Sequence, residues 1–394
     1  MKISFRLKMR NLLFRFINVI LRLLIPKQDN LVLLTAWLGE KYIDNTKYVY
    51  EYLQNYPQYR AIWMTRSKAI YDSLNCHGLP VCYFNSIRGF WLQLRAKVVF
   101  SSIQFADYNP WLINRCLYID LGHGHPIKDP GKEHHTEESQ LINSLILEKV
   151  NYYAIVASNF SKKHYFEVIR IPENHVLISD FARNDVFIDQ SLRQGKNELI
   201  ESFRRLGRKI ITYMPTHRSM GKDEMNMSRI LALDSIQKFC EDNNIQFIVK
   251  KHFYHRKEHE NFDAFSNIID ISSEEDIDPQ VLLYQSDILI TDYSACYIDY
   301  LLLNRPIVFF QYDLEAFVRD ERSLYMSFDD LKIGPVVKDK NDLKDALQDI
   351  INSPQDQYAT NRNIFAKTYF ENLKQIDGRK KVVEIMQMLL KENV

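Results

Sequence analysis

Four polar clusters in this chain combine side chains that can hold a phosphate with side chains that can move a proton. The first is Leu121-Gly122-His123-Gly124-His125-Pro126-Ile127-Lys128. An imidazole titrates near neutral pH and can take the proton of an attacking hydroxyl. Glycines on both sides of His123 permit a tight turn and a close substrate approach, and Lys128 offers a cation for a phosphate. The second is Met214-Pro215-Thr216-His217-Arg218, where a guanidinium fork and a hydroxyl suit phosphate oxygens. The third is Lys250-Lys251-His252, a basic group fit for a diphosphate; His255 and His259 nearby read as solvated neighbours. The fourth is Ile290-Thr291-Asp292-Tyr293-Ser294-Ala295-Cys296. It reads as strand, loop and helix start, a place where unpaired N–H groups and the helix dipole attract anions. Each cluster alone has a plainer alternative: a capping or solvated histidine, an exposed arginine, a strand end reaching water, an N-cap serine.

The clusters gain weight from the elements that carry them. Short apolar runs at 31–34, 61–64, 81–84, 96–100 and 117–120 read as buried strands with helices between them, the pattern of a parallel, doubly wound sheet. One such helix is expected over 44–55, capped by Asp44-Asn45-Thr46. The pattern restarts with runs at 209–213, 247–250, 267–270, 287–291 and 306–310. Two Rossmann-like domains are therefore expected, 29–190 and 191–394. All four clusters follow strand ends, where open α/β sheets bind their ligands. Asp276-Ile277-Asp278 reads as helix-cap residues rather than a metal motif, so neither a metal nor a cofactor is expected.

Bulk properties exclude several classes. The net charge of +1 over 394 residues does not mark a nucleic-acid binder. Five scattered cysteines without a CxxC read as reduced thiols. Residues 1–28 hold seven basic side chains and no acid. Their apolar positions are broken by Arg15, Asn18 and Arg22, which argues against a spanning helix or a secretory signal. A basic amphipathic helix lying on an anionic membrane surface is expected instead.

The segment ITDYSACYIDYLLLNRPIVFFQYDLEAF, residues 290–317, resembles the ITDYSS…FDY…L..RPI.FY.YDL.EY stretch of the CDP-glycerol glycerophosphotransferase family, the wall teichoic acid primases and polymerases. Gly334-Pro335-Val336-Val337 continues the likeness. GHGHPIK resembles the family's WHGTPLK, PTHR its PTWR, and Asp180-Phe181-Ala182-Arg183-Asn184-Asp185 its GYPRND. Tyr42-Ile43-Asp44-Asn45-Thr46-Lys47-Tyr48 resembles an early family stretch.

The resemblance implies a GT-B fold, two Rossmann-like domains facing across a cleft. It also implies transfer of glycerol phosphate from CDP-glycerol to a lipid-linked cell-surface polymer, teichoic acid or capsule, with release of CMP at the cytoplasmic face of a bacterial membrane. By the same resemblance His123 is the acid/base group and His252 the second essential histidine. Thr216, Arg218, Lys251, Asp292, Ser294 and Ala295 line the donor, while Lys128 and Arg183 are further phosphate contacts. The departures at Gly122, His125, His217, Ala295 and Phe253 surround the expected donor site. They leave the fold and reaction type intact and the donor open between CDP-glycerol and CDP-ribitol; sugar transfer from a nucleotide sugar and a non-catalytic membrane-docking module are separate alternatives, the last opposed by the joint presence of His123, Arg218, His252 and Ser294.

Overall fold

The computed structural model describes residues 20, 24–128, 147–169, 171–218, 224–255, 260, 262–274, 277–321, 323–371, 373 and 377–392. Apart from Ile20 and residues 24–28, the N-terminal amphipathic helix expected over 1–28 lies outside them, as do His259 and Asp276. Among the described residues no helix is long and apolar enough to cross a membrane.

The chain forms two compact units. The first holds a seven-stranded parallel sheet: β1 (Gln28–Leu34), β2 (Arg60–Thr65), β3 (Val81–Tyr83), β4 (Ala96–Ser101), β5 (Leu117–Asp120), β6 (Asn151–Val156) and β7 (Val176–Ile178), in the order β3-β2-β1-β4-β5-β6-β7. The second holds β8 (Lys209–Met214), β9 (Ile245–Val249), β10 (Ile268–Asp270), β11 (Ile288–Thr291), β12 (Ile307–Phe310) and β13 (Val336–Val337), in the order β10-β9-β8-β11-β12-β13. Both begin with the same 3-2-1-4-5-6 order, whose topological switch point lies between the first and fourth strands.

Side-chain alternation builds the cores. In the second unit Ile211, Tyr213, Phe247 and Val249 join one apolar cluster, while Ile210 and Ile248 join another on the opposite face. Successive strand residues point to opposite faces, and helices cover both, so the strands read as unbroken apolar runs.

Register decides where the loops emerge. Leu34 is level with Phe100, and Ser101 with Asp120, so the loops after β1, β4 and β5 leave the sheet together. In the second unit Thr291 is level with Met214, which brings the loops after β11 and β8 side by side.

The division of the chain differs from the expected 29–190 and 191–394. The first unit takes residues up to His123, then 132–183, then the chain from Asp377 on; the second takes 124–131 and 184–376. The chain thus changes unit at His123, near residue 131, at Arg183 and before Asp377. The last helix, Gly378–Glu392, buries Val382, Val383, Met386 and Leu389, and it packs on the Asp44–Leu53 helix of the first unit. A Cβ at Gly378 would lie 2.6 Å from the Phe181 carbonyl carbon, so only glycine admits that approach. An amphipathic pattern announces such a helix but not which core receives it.

Candidate active site

In the first unit, His123 follows β5 beside the switch point. Its Nδ1 lies 3.0 Å from the Ser102 carbonyl oxygen, and its ring meets Trp37 edge-on at 5.1 Å. A carbonyl only accepts, so Nδ1 carries the proton and Nε2 is the basic nitrogen. The imidazole itself is exposed.

The surroundings hold this ring in place. The buried Asp107 carboxylate accepts from Leu38 N at 2.7 Å, Ser102 N at 2.6 Å, Ile103 N at 2.8 Å and Ser102 Oγ at 3.2 Å. Ser102 Oγ in turn accepts from Trp37 N at 3.0 Å. Trp37 and Leu38 are consecutive left-handed residues, φ 50° and 59°. Such backbone costs roughly 1–3 kcal/mol per residue and persists only where neighbours over-determine it. Asp107 and Ser102 supply that constraint, and they fix the carbonyl on which His123 leans. Burial pushes the Asp107 carboxyl above its ordinary range, against the three backbone N–H groups that favour its charge.

A second set of bonds fixes the His123 backbone. Asp120 accepts from Gly122 N at 3.0 Å and from Tyr152 Oη at 2.9 Å. Asn45 Nδ2 donates to Leu121 O at 3.0 Å, and Asn45 Oδ1 accepts from Arg183 N at 3.2 Å. Arg183 Nη1 donates to His123 O at 2.7 Å and pairs with Asp44. Gly122 stands at φ 61°, a region that glycine enters at no steric cost.

Two sequence expectations change here. Arg183 is buried against protein partners rather than presented to a phosphate. Asp44 opens the Asp44–Leu53 helix without capping it; its carboxylate instead accepts from Trp37 Nε1 at 3.0 Å and pairs with Arg183.

In the second unit, Thr216, Arg218, Asp292 and Ser294 flank the switch point between β8 and β11. Arg218 engages all five of its N–H donors within the protein. Nε reaches Asp313 Oδ2 at 2.7 Å; Nη2 reaches Asp313 Oδ1 at 3.0 Å and Asp292 Oδ2 at 2.8 Å. Nη1 reaches Thr216 O at 2.6 Å and His217 O at 3.4 Å. Burial disfavours the guanidinium charge, and Asp292 and Asp313 outweigh it, so its pKa stands above the usual value. Asp292 also accepts from Thr216 N at 2.8 Å, and Tyr293 Oη donates to Asp313 Oδ1 at 3.1 Å. Arg218 therefore joins the loops after β8, β11 and β12.

The remaining expected donor residues sort by exposure. Lys251 is buried, with Nζ 3.1 Å from Asp270 Oδ2 and 3.7 Å from Glu260 Oε1. His252 is half-buried; Nδ1 accepts from Tyr254 N at 3.4 Å, so Nε2 carries the ring proton. Its ring lies 4.9 Å from those of His217 and Tyr254. The Thr216 hydroxyl is buried and has no hydrogen-bond partner among the described residues, which marks a place where a ligand oxygen would be welcome. Ser294 precedes a helix of one short run, Cys296–Tyr300, with Ala295 at its N-cap position; Ser294 Oγ accepts from Cys296 N at 3.5 Å. Lys128 bridges to Leu324, and its Nζ lies 5.5 Å from the Phe317 ring. Asp278 caps the Pro279–Gln285 helix through Gln280 N and Val281 N, in its expected role. A cavity of about 330 Å³ opens beside Arg218, lined also by Arg229, Tyr312, Asp313 and Phe317.

His255 is a correction. Expected in solvent, it is fully buried, and its Nε2 accepts from Arg218 N at 3.2 Å. Asp107, Asp313 and Trp37 were not singled out from the sequence. Asp313 lies in the YDLEAF string, but nothing there tells a buried partner from a solvated acid.

Comparison with known proteins supplies the relationship. The sequence model described as CDP-Glycerol:Poly(glycerophosphate) glycerophosphotransferase matches residues 16–386. A teichoic acid poly(glycerol phosphate) polymerase of Bacillus spizizenii is 28% identical, with 98% of this chain and 99% of that protein aligned. A teichoic acid poly(ribitol-phosphate) polymerase of the same organism is 31% identical over 47% of this chain and 30% of its own length. The solved structure of the wall teichoic acid polymerase TagF shares the fold, with a TM-score of 0.75, 22% identity and both chains covered in full.

Proposed function

The chain belongs to the CDP-glycerol:poly(glycerophosphate) glycerophosphotransferase family, and from that premise we propose that it transfers glycerol phosphate from CDP-glycerol to a hydroxyl of a lipid-linked polymer at the cytoplasmic face of the membrane. The observation that carries the reading is His123, with Nδ1–H bound to Ser102 O and Nε2 left as the base. The acceptor hydroxyl gives its proton to Nε2 as its oxygen bonds to the phosphorus that bears glycerol. The phosphoanhydride bond breaks, and CMP leaves with the electron pair. Positioning and charge stabilisation dominate such reactions.

On the donor side, His252 Nε2–H, the Thr216 hydroxyl and the loop at Asp292–Ala295 are the groups assigned to the diphosphate. Arg218, Lys251 and Asp292 shape that loop from behind. Arg183 does the same for the His123 loop, and Lys128 is the remaining cation proposed for a substrate phosphate. Glycerol is favoured over ribitol because the glycerol-phosphate relative aligns along its whole length, the ribitol one over about half of this chain.

The test is CMP release from CDP-glycerol with a lipid-linked acceptor, comparing the intact chain with His123→Ala. A fall of ~10²–10⁴-fold is expected for loss of a positioned base. Absence of CMP from CDP-glycerol with folded protein, but turnover of CDP-ribitol, would replace the donor. Release of a nucleoside diphosphate from a nucleotide sugar would replace the reaction class.

A further inference from the structure

Three left-handed residues in succession form the turn after β1: Trp37, Leu38 and Gly39, at φ 50°, 59° and 83°. Two of them carry bulky side chains, a conformation that neighbours must enforce. Asp107 and Ser102 hold the turn from the side of β4. The end of β2 holds it from the other side. Thr65 Oγ1 donates to Gly39 O at 2.9 Å, Arg66 N donates to the same oxygen at 2.8 Å, and Arg66 Nε donates to Leu38 O at 2.7 Å.

The Arg66 side chain is exposed and yet held on three sides. Besides the Nε bond to Leu38, Nη1 donates to Asn85 Oδ1 at 3.0 Å, and the guanidinium carbon lies 4.7 Å from the Phe84 ring centroid. Fixing a long side chain costs entropy, and here that ordering precedes any ligand. Both hydrogen-bond acceptors are uncharged oxygens, and among the described residues Arg66 makes no ion pair. Arg183, Arg218 and Arg362 differ: their charges are met by Asp44, by Asp292 and Asp313, and by Asp356. Two of the five N–H donors of Arg66 are used within the protein, which leaves three and an uncompensated positive charge.

The place of this charge gives it a role. Leu38, whose carbonyl Arg66 holds, adjoins Trp37, whose ring meets that of His123 at 5.1 Å. One rigid turn therefore links the base to the cation, and all of these residues belong to the first unit. We propose that Arg66 is an acceptor-binding residue, whose guanidinium takes the phosphodiester next to the hydroxyl that His123 deprotonates. A guanidinium fork matches two oxygens of a phosphate. A chain of polyol phosphates carries that anion beside its terminal hydroxyl, so it offers the base and the cation their ligands together. The donor diphosphate fits less well, because the groups assigned to it lie in the second unit. This assignment rests on the transfer proposed above, with a chain of polyol phosphates as the acceptor.

The experiment uses the full chain and a soluble glycerol phosphate oligomer with a free terminal hydroxyl. Calorimetry without donor measures its binding, so the result does not depend on turnover. Arg66→Gln keeps a hydrogen-bond donor and removes the charge. It should weaken oligomer binding by about tenfold or more, for loss of a charge-assisted pair, and leave CDP-glycerol binding unchanged. Arg66→Lys keeps the charge without the fork and should recover part of the loss. In turnover with the lipid-linked acceptor, Arg66→Gln should raise the acceptor KM by the same factor with kcat little altered, because a misplaced base would lower kcat instead. Equal oligomer binding by Arg66→Gln and the unaltered chain would overturn the proposal, and so would no binding to either. A loss of CDP-glycerol affinity would overturn it by making Arg66 a donor ligand. A fall in kcat with oligomer binding intact would overturn it by leaving Arg66 only a support of the Trp37 turn. Absence of CMP release from the unaltered chain, with oligomer binding still lost in Arg66→Gln, would remove the assigned reaction and keep this site.

Discussion

The two sheets place their loops alike but turn charge in opposite directions. Beside the first switch point, carboxylates and backbone carbonyls hold a single imidazole out to solvent. Asp107 grips the β1 and β4 loops, and Ser102 O accepts a hydrogen bond from His123 Nδ1–H. Beside the second, the cations are turned inward. Arg218 sits among Asp292 and Asp313, and Lys251 among Asp270 and Glu260. Each is one positive charge against two negative ones, so neither adds net positive charge for a diphosphate. A basic residue at a strand end can thus be a fastener rather than a ligand. On the proposed reading, the groups left for the donor are neutral or titratable: the Thr216 hydroxyl, His252 and loop amides.

Three substitutions test this contrast. Arg218→Ala should have the largest effect, lowering stability by about 3–5 kcal/mol, because it strands the buried Asp292 carboxylate and the half-buried Asp313. Denaturant unfolding monitored by circular dichroism measures it. Unchanged stability with a raised KM for the donor would make Arg218 a phosphate ligand after all and erase the difference between the units. Asp107→Asn should come next. It keeps the volume but disturbs the acceptor of three backbone N–H groups, so the His123 ring loses its fixed partner. A fall in kcat of roughly tenfold or more, with donor KM unchanged, is expected for a misplaced base. A change in KM alone would show that the Asp107 turn does not position His123. The smallest effect belongs to His255→Gln, whose amide oxygen can still accept from Arg218 N. It should cost about 1 kcal/mol, while His255→Leu should cost more by leaving that N–H unpaired. Equal losses in thermal melts would mean that the ring's bulk, not its Nε2, matters.

The strands were legible because burial on both faces writes each as a short apolar run. All ten expected runs appear as strands, within a residue or a few at their ends. Val176–Ile178 and Val336–Val337 were not read as strands. Asn151–Val156 begins with polar and aromatic residues, which hides its apolar end. Residue type and position after a strand drew attention to His123 and His252, which follow β5 and β9 in the fold. What the sequence did not show is which polar side chain faces another. Asp313 and His255 act on Arg218, and Asp107 on Leu38, partners far away along the chain, and periodicity carries no record of such pairs. The same limit explains why Arg183 and Arg218 resemble ligands in the sequence but are enclosed in the fold.

The return of the Gly378–Glu392 helix to the first unit bears on how the protein is made. Domains generally assemble in order as the ribosome delivers them, yet here the first sheet is laid down long before the helix that covers the Asp44–Leu53 helix. Until that helix is translated, the unit that carries His123 has an uncovered apolar flank. The second unit, whose segments are all translated before Asp377, can close first.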